Sequence, residues 1–504
     1  MLATKRTRRV ENDDAPCFDL PPEIIQRIAI FIPDTSSFFN FLEAFQEHKI
    51  YLGNLQLLYE TSVHYPHHAF WPGLHVKHDT QRAHENITDT NHIVPRVHMY
   101  YSTVHVHGIY EFDTLDSYTA SPTTKLAFYL CPIASEIGYP LEEWYYDFAT
   151  TLPIEHITWV EGRPDDFPQP VDVLVDVLPH MIDLRSLDLF MSRIVAPDKL
   201  FEFIRTSKLT RLSLNKVFTC ALDDANEWTE ADEVAARSDM TTARLLHLIH
   251  WLTHEAVETL NIGLWNMRTD AATMAHFFRA LWANTTLHTF HAPRTRQLDL
   301  MAYEFKAPLH VQRLNLSACG LRDDMIRRLA TGLKGSSVAW LDLSSNPIGP
   351  DAMEALADAL PPSLFHLQLT RVAMEDIGLG YLLYVLPAMT CLTDLFLDGN
   401  DITDSSMMFL AAAIQTTPAL EIVTLRENEV TPVGIAAMIR ALGKRPAPPD
   451  LSLIDLDENS VAETDVPPLT LLLQHVARHA EAPLPQLSFG PRTHHPNDRD
   501  WFDY

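Results

Sequence analysis

The stretch Val338-Ala-Trp-Leu341-Asp-Leu343-Ser-Ser-Asn346-Pro-Ile348 decides the fold. Apolar residues hold its first, fourth, sixth and eleventh places, and an asparagine holds the ninth. Successive strand side chains point to opposite sides, so Leu341 and Leu343 can share one buried face of a short strand. The asparagine falls where the chain must leave that strand. Its amide can satisfy backbone groups that the bend leaves unpaired. The same spacing returns at Val311, Leu314, Leu316, Cys319 and Leu321, then at Leu392, Leu395, Leu397, Asn400 and Ile402. It returns again at Leu420, Val423, Leu425, Asn428 and Val430, and at Leu451, Ile454, Leu456, Asn459 and Val461. Leu364, Leu367 and Leu369 keep the strand but set Val372 at the asparagine place. The sixth places (316, 343, 369, 397, 425, 456) advance by 27, 26, 28, 28 and 31 residues. Between strands, Met353, Leu356 and Leu360, and Ile435, Met438, Ile439 and Leu442, fall at helical spacing.

One such unit cannot bury its own apolar face, but stacked units share a core. Strands at 312–317, 339–344, 365–370, 393–398, 421–426 and 452–457 are therefore expected in one curved parallel sheet with helices outside. The class is α/β. The pattern resembles the leucine-rich repeat of the ribonuclease-inhibitor type, whose step near 28 residues and full helix it shares. Going backwards the strand core persists without the asparagine, at Leu287/Phe290/Ala292, Val257/Leu260/Ile262, Leu209/Leu212/Leu214, Leu184/Leu187/Leu189 and Ile154/Ile157/Trp159. One step of 48 residues holds an insertion, Thr219 to Met240, with seven acidic residues and one arginine. Leu484/Leu487/Phe489 reads as a last strand, and Val94/Val97/Met99 and Phe128/Leu130 as two further ones near the start. The solenoid is placed at 151–490, after degenerate His-rich sequence at 51–150 and before a tail at 491–504.

The chain has 504 residues and a net charge of −28. Such a field repels nucleic-acid phosphates and acidic membranes and favours basic protein partners. Nothing approaches the roughly 18 apolar residues that span a bilayer. The first nine residues carry charge with no apolar run behind them, so no secretory signal is expected. Cys17, Cys131, Cys220, Cys319 and Cys391 show no paired spacing, which suits a reduced, cytoplasmic location. Lys5-Arg-Thr-Arg-Arg9, in a basic tail at 1–15, is a candidate nuclear signal.

Residues 16–50 hold two short helical patterns. Pro21 and Pro22 suit a helix start, Pro33 stops that helix, and Asp34 or Thr35 can cap the next. The apolar set Leu20, Ile24, Ile25, Ile28, Ile32, Phe38, Phe39, Leu42 and Phe45 exceeds what two isolated helices bury, so it must pack on something. The opening Leu20-Pro21-x-Glu23-Ile24, Ile28 and the Pro33-Asp34 break resemble an F-box. Past Phe45 the family's Arg/Trp-rich third helix is replaced by Gln46-Glu-His-Lys-Ile50. The resemblance implies docking on the Skp adaptor of a cullin–RING ubiquitin ligase through Leu20, Pro21, Ile24 and Ile28. The alternative is a helical cap over the first repeat.

Catalytic and cofactor motifs are missing. His254-Glu-Ala-Val-Glu258 fails the metalloprotease pattern at its last place, Gly378-Leu-Gly380 lacks a third glycine, and no phosphate-loop or G-x-S-x-G sequence occurs. Ten histidines lie between His64 and His107, irregularly spaced and with no cysteine near, so no metal site is assigned. His105-Val-His107 would set both rings on one strand face. No enzyme activity and no cofactor are expected.

The concave strand face is then the binding surface. Its outward places include Asp188, Phe190, Asn261, His291, Asn315, Asp342, Phe396, Asp398, Thr424, Arg426, Asp455 and Asp457, with Trp340 also projecting. Phe190, His291, Trp340, Asp342, Arg371, Phe396, Asp398 and Arg426 are the candidate partner-binding residues, because exposed aromatics and arginine on a rigid sheet resemble interface anchors. A non-catalytic substrate-recognition subunit of a ubiquitin ligase follows from the two resemblances together. A repeat scaffold or small-GTPase regulator is the alternative, since GTPase-activating proteins for nuclear-transport GTPases share this repeat class.

Overall fold

The computed structural model describes residues 20–64, 66–77, 93–119, 121–129, 131–132, 136–159, 169–219, 237–444, 450–480 and 483–490. The basic cluster at Lys5–Arg9, residues 220–236 of the acidic insertion and the tail from 491 lie outside them. The chain divides into two compact units, one up to Ile157 and one from Thr158 onward.

The second unit is built on parallel strands laid side by side in chain order. They are Ser186–Arg193, Arg211–Phe218, Thr259–Asn261, Thr289–His291, Arg313–Asn315, Trp340–Asp342, His366–Gln368, Asp394–Phe396, Ile422–Thr424, Leu453–Asp455 and Gln486–Ser488. One line of side chains runs straight across the sheet: Leu187, Leu212, Leu260, Phe290, Leu314, Leu341, Leu367, Leu395, Val423, Ile454 and Leu487. All but the last are 0% exposed. These are the fourth places of the repeat, including the degenerate ones. The fold is a leucine-rich-repeat solenoid.

Helices on the other side close the core. Asp323–Leu333 buries Ile326, Leu329 and Leu333; Gly349–Ala359 buries Met353 and Leu356; Pro432–Leu442 buries Ile435, Met438, Ile439 and Leu442. The strands are three residues long where six are expected from sequence, as at Trp340–Asp342. The cause is the backbone just past the sixth place. Two residues after it, at Met191, Lys216, Leu264, Arg294, Ala318, Ser345, Arg371, Gly399, Glu427 and Glu458, φ lies between 50° and 65°. Ten left-handed residues recur at one register position; from Leu264 onward they turn the chain out of the sheet, whereas the strands Ser186–Arg193 and Arg211–Phe218 run on past Met191 and Lys216. Only Gly399 among them is free of the Cβ cost of that conformation.

The ninth-place asparagines Asn346, Asn400, Asn428 and Asn459 are 0% exposed. Asn428 Nδ2 donates to the carbonyls of Leu397 and Leu425, both at 3.0 Å, and its Oδ1 accepts from the amides of Asn400 and Ile402 at 2.9 and 3.1 Å. Each asparagine thus ties its own bend to the repeat before it, and Cys319 does the same with one bond to the Ala292 carbonyl at 3.0 Å. Asn428→Ala leaves several buried backbone groups unpaired and is expected to cost about 2–4 kcal/mol. Urea unfolding checks this, and a loss below about 1 kcal/mol would show the bends are satisfied without the amide.

The long step from Leu212 to Leu260 carries an extra strand, Ser238–Thr241, which pairs in parallel with Trp265–Arg268 as a separate two-stranded ladder. The main register passes the insertion undisturbed.

In the first unit, strands Leu74–Lys77, Thr103–His107 and Lys125–Tyr129 pair in parallel, aligning Leu74, Val104 and Leu126, and then Val76, Val106 and Phe128. Gly108 follows Val106 by two residues with φ 66°, so the repeat's turn recurs here. The strand expected at Val94/Val97/Met99 is not one. Val94–Val97 is a helical turn with Pro95 near its start, His98–Tyr100 is a 3-10 turn, and the strand begins at Thr103. Pro95 supplies no N–H to a ladder and fits a helix start, so the apolar alternation there misleads.

The two N-terminal helices are Pro22–Ile30 and Thr35–Ala44, the second capped by Asp34 accepting from the Ser37 amide at 2.6 Å. Ile25, Ala29, Phe38, Phe39 and Leu42 are buried. Phe38 stacks on Trp71 with ring centroids 4.0 Å apart, and Trp71 Nε1 donates to the Ile32 carbonyl at 2.6 Å. Tyr100 OH reaches Gln26 Oε1 at 3.3 Å. These contacts hold the helix pair on Trp71 and Tyr100.

Candidate protein-interaction surfaces

The helix Pro22–Ile30 has two faces with opposite fates. Ile25 and Ala29 are 2% and 0% exposed, whereas Leu20, Ile24, Ile28 and Phe31 are 47%, 38%, 43% and 83% exposed. Residues 24, 28 and 31 recur every three or four positions, so they form one stripe, and Leu20 and Pro21 are exposed where the chain enters the helix. The expected apolar excess is real but divided: one half is core, the other faces solvent. Ile50, at 81% exposure, adds a further apolar side chain.

On the concave face of the repeats, rows run across the strands. At the third place stand Arg313, Trp340, His366 and Asp394; at the fifth, His291, Asn315, Asp342, Gln368, Phe396, Thr424 and Asp455. Trp340 and Phe396, read from sequence as candidate anchors, belong to one aromatic cluster that zigzags between the two rows. His291 lies 5.6 Å from Trp340 between ring centroids, His366 stacks on Trp340 at 5.0 Å and 13°, and Phe396 is 5.0 Å from His366. The rings pack sideways on one another and are half-buried. Burial lowers the His291 pKa to about 4.

Asp342, expected on the exposed ridge, is 7% exposed and accepts from the Ser344 amide at 2.9 Å. Burial holds its carboxyl above the usual range. Asp398 accepts from the Thr424 hydroxyl at 2.8 Å and the Arg426 amide at 2.7 Å, yet burial pushes its pKa up to about 6. The arginines are engaged: Arg371 Nη2 meets Glu427 Oε2 at 2.8 Å, and Arg426 Nη1 meets Asp455 Oδ2 at 3.4 Å. Phe190 stands apart from this group. It packs on Met191, Phe218 and Leu264, with Lys216 Nζ 5.9 Å from its ring centroid.

Two stretches of the solenoid match the Leucine Rich repeat family profile, residues 341–357 and 388–411. Among solved structures, the yeast Rad7–Elc1 complex is similar at 16% identity, over 70% of this chain and 81% of that one, with a TM-score of 0.39. An internalin (inlF) from Listeria monocytogenes is similar at 15% identity, over 64% of this chain and 90% of that one, with a TM-score of 0.29.

Sequence reading missed His366 and Asp394. Both sit at the third place, which projects to the same side as Trp340, so the register that placed Trp340 would have found them. His105 and His107 do share a strand face, and His75 joins them: His75 Nδ1 lies 3.2 Å from His107 Nε2, and the His75 and His105 rings stack at 4.3 Å. Tyr129 OH contacts His105 Nδ1 at 3.1 Å. Among the described residues no group of three or more His, Cys, Asp or Glu is arranged to hold a metal ion. No helix among them is long and apolar enough to cross a membrane.

Burial, then mutual repulsion and Lys77, lower the pKa of His107 to about 4; burial and the neighbouring His75 and His156 do the same for His105. In the unfolded chain these imidazoles titrate near 6.5, so the unfolded state takes up protons first as pH falls. The stability they contribute is whole above about pH 6.5 and is lost progressively toward pH 4. The melting temperature of the first unit is expected to drop between pH 7 and pH 5, and less so in a His105→Gln/His107→Gln variant. An equal drop in that variant would remove the cluster as the cause.

Proposed function

We propose that the chain is a non-catalytic protein-binding adaptor, and more narrowly the substrate-recognition subunit of a Skp–cullin–F-box ubiquitin ligase. The observation that carries the reading is the exposed stripe of Ile24, Ile28 and Phe31, with Leu20 exposed at the entry, on a helix whose other side is core. A pure cap would turn its apolar side chains inward. This helix keeps a second apolar face that nothing among the described residues covers, and such contiguous faces on a soluble surface mark binding sites. The Leu20-Pro21-x-Glu23-Ile24 opening supplies the residue types by which an F-box holds a Skp-type adaptor. The repeats supply a rigid ridge for the substrate protein, and the net charge of −28 suits a basic one.

Co-purification tests it. Full-length protein is expected to recover a Skp-type adaptor in stoichiometric amount, and no metal, nucleotide or nucleic acid is required. Failure to bind the adaptor, with stimulated GTP hydrolysis by a small GTPase instead, would move the chain to the regulator reading.

A further inference from the structure

The third, fifth and seventh places of three adjacent repeats form a patch: Trp340, His366 and Asp394; Asp342, Gln368 and Phe396; Ser344, Thr370 and Asp398. Three carboxylates bound it, and no lysine or arginine stands among the nine residues. Two arginines next to it, Arg371 and Arg426, already pair with Glu427 and with Asp455 and Glu458, and Arg313 stands beside Trp340, three strands from Asp394. The patch also holds a buried polar atom without a hydrogen-bond partner. His366 points Nδ1 at Asp394 Oδ2, 3.4 Å away, while its Nε2 is buried and unbonded. With the proton on Nδ1, facing the carboxylate, Nε2 keeps a lone pair and needs a donor. The Ser344 hydroxyl, on a residue 7% exposed, interacts with the Asp342 carboxylate. Acceptors and anions converge on these nine residues, which carry no cation of their own.

We propose that this patch receives an extended basic segment of the protein partner, with lysine or arginine side chains at the carboxylates of Asp342, Asp394 and Asp398. Asp394 and Asp398 lie four residues apart along one repeat, about 13 Å in extended backbone, so basic residues four positions apart in an extended peptide match their spacing. The half-buried cluster of Trp340, His366 and Phe396 forms the floor between them, on which the aliphatic stems of those side chains rest. Burial that holds the Asp398 carboxyl near pH 6 is relieved by an arriving cation, so binding near that pH releases protons. The proposal rests on the adaptor reading only for the partner being a protein, and its test is independent of the N-terminal helices.

The experiment is calorimetric titration of the full-length protein, at pH 6 in two buffers of different ionisation enthalpy, with a peptide of alternating arginine and glycine. The expected result is binding with proton release, no binding of the glutamate counterpart, and at least about tenfold weaker binding by Asp394→Asn/Asp398→Asn. Asp351→Asn/Glu354→Gln, on the exposed side of the helix Gly349–Ala359, makes the same charge change elsewhere and should leave affinity within about twofold. Equal weakening by both pairs would reduce the effect to net charge and overturn the site. Undiminished binding by Asp394→Asn/Asp398→Asn would do the same. Circular dichroism confirms that each variant folds. Loss of adaptor capture with peptide binding intact would sink the ubiquitin-ligase reading alone.

Discussion

Leu397→Ala is expected to destabilise the solenoid by about 2–5 kcal/mol, because a fully buried leucine is truncated where the core is one side chain deep. Leu343→Ala should cost a similar amount, being equally buried. The loss is not confined to one repeat. Each repeat is stable only through its neighbours, so hydrogen exchange should quicken in the flanking strands His366–Gln368 and Ile422–Thr424 as well. The exposed neighbour Arg313, one residue before the buried Leu314, should tolerate alanine within about 0.5 kcal/mol. Comparable losses at 313 and 314 would mean that the strand register is shifted by one residue. Asp342 does not serve as such a control, since its burial and its bond to Ser344 give Asp342→Ala a cost of about 1–3 kcal/mol.

Leu20→Ala/Pro21→Ala should weaken adaptor capture by about 30-fold or more, as loss of a central apolar anchor does, while unfolding stays nearly unmoved. The basis is that Leu20 is 47% exposed and makes no part of the core. Ile25→Ala and Phe38→Ala should behave in the opposite way. Both residues are buried, and their truncation should lower the melting temperature of the first unit before it affects any docking. If the Leu20/Pro21 variant lowers the melting temperature as Ile25→Ala does, the helices are a cap and the exposed stripe has no partner.

The repeats were legible because two constraints coincide in the sequence: a buried pair of places two residues apart, and a polar ninth place that the bend requires. Leu341, Leu343 and Asn346 satisfy both at once. Where the asparagine is missing, as after Leu187 or Leu260, the strand register still held, because the apolar pair alone fixes which face is buried. The Val94–Met99 stretch was misread since apolar alternation over so few residues also fits a helical turn, and Pro95 is the residue that arbitrates. The concave face was legible only as a set of outward places. That Trp340 leans on His291 and His366, and that Asp342 is buried, depends on neighbours 24 to 49 residues away in sequence. Such packing has no local signature. The exposed stripe on the first helix was equally hidden, because sequence shows an apolar excess without saying which half the rest of the chain covers.

Strand-to-strand steps between the aligned core residues range from 24 to 33 residues, and one reaches 48, without any slip in the line from Leu187 to Leu487. That variation falls between the aligned strands, where the 48-residue step also carries the extra strand Ser238–Thr241. The segment from the fourth place to the ninth never changes length where the asparagine is present. Length elsewhere between the strands is therefore a free variable for evolution and for engineering. Deleting one residue between Leu425 and Asn428, by contrast, would pull the amide off the backbone groups it holds.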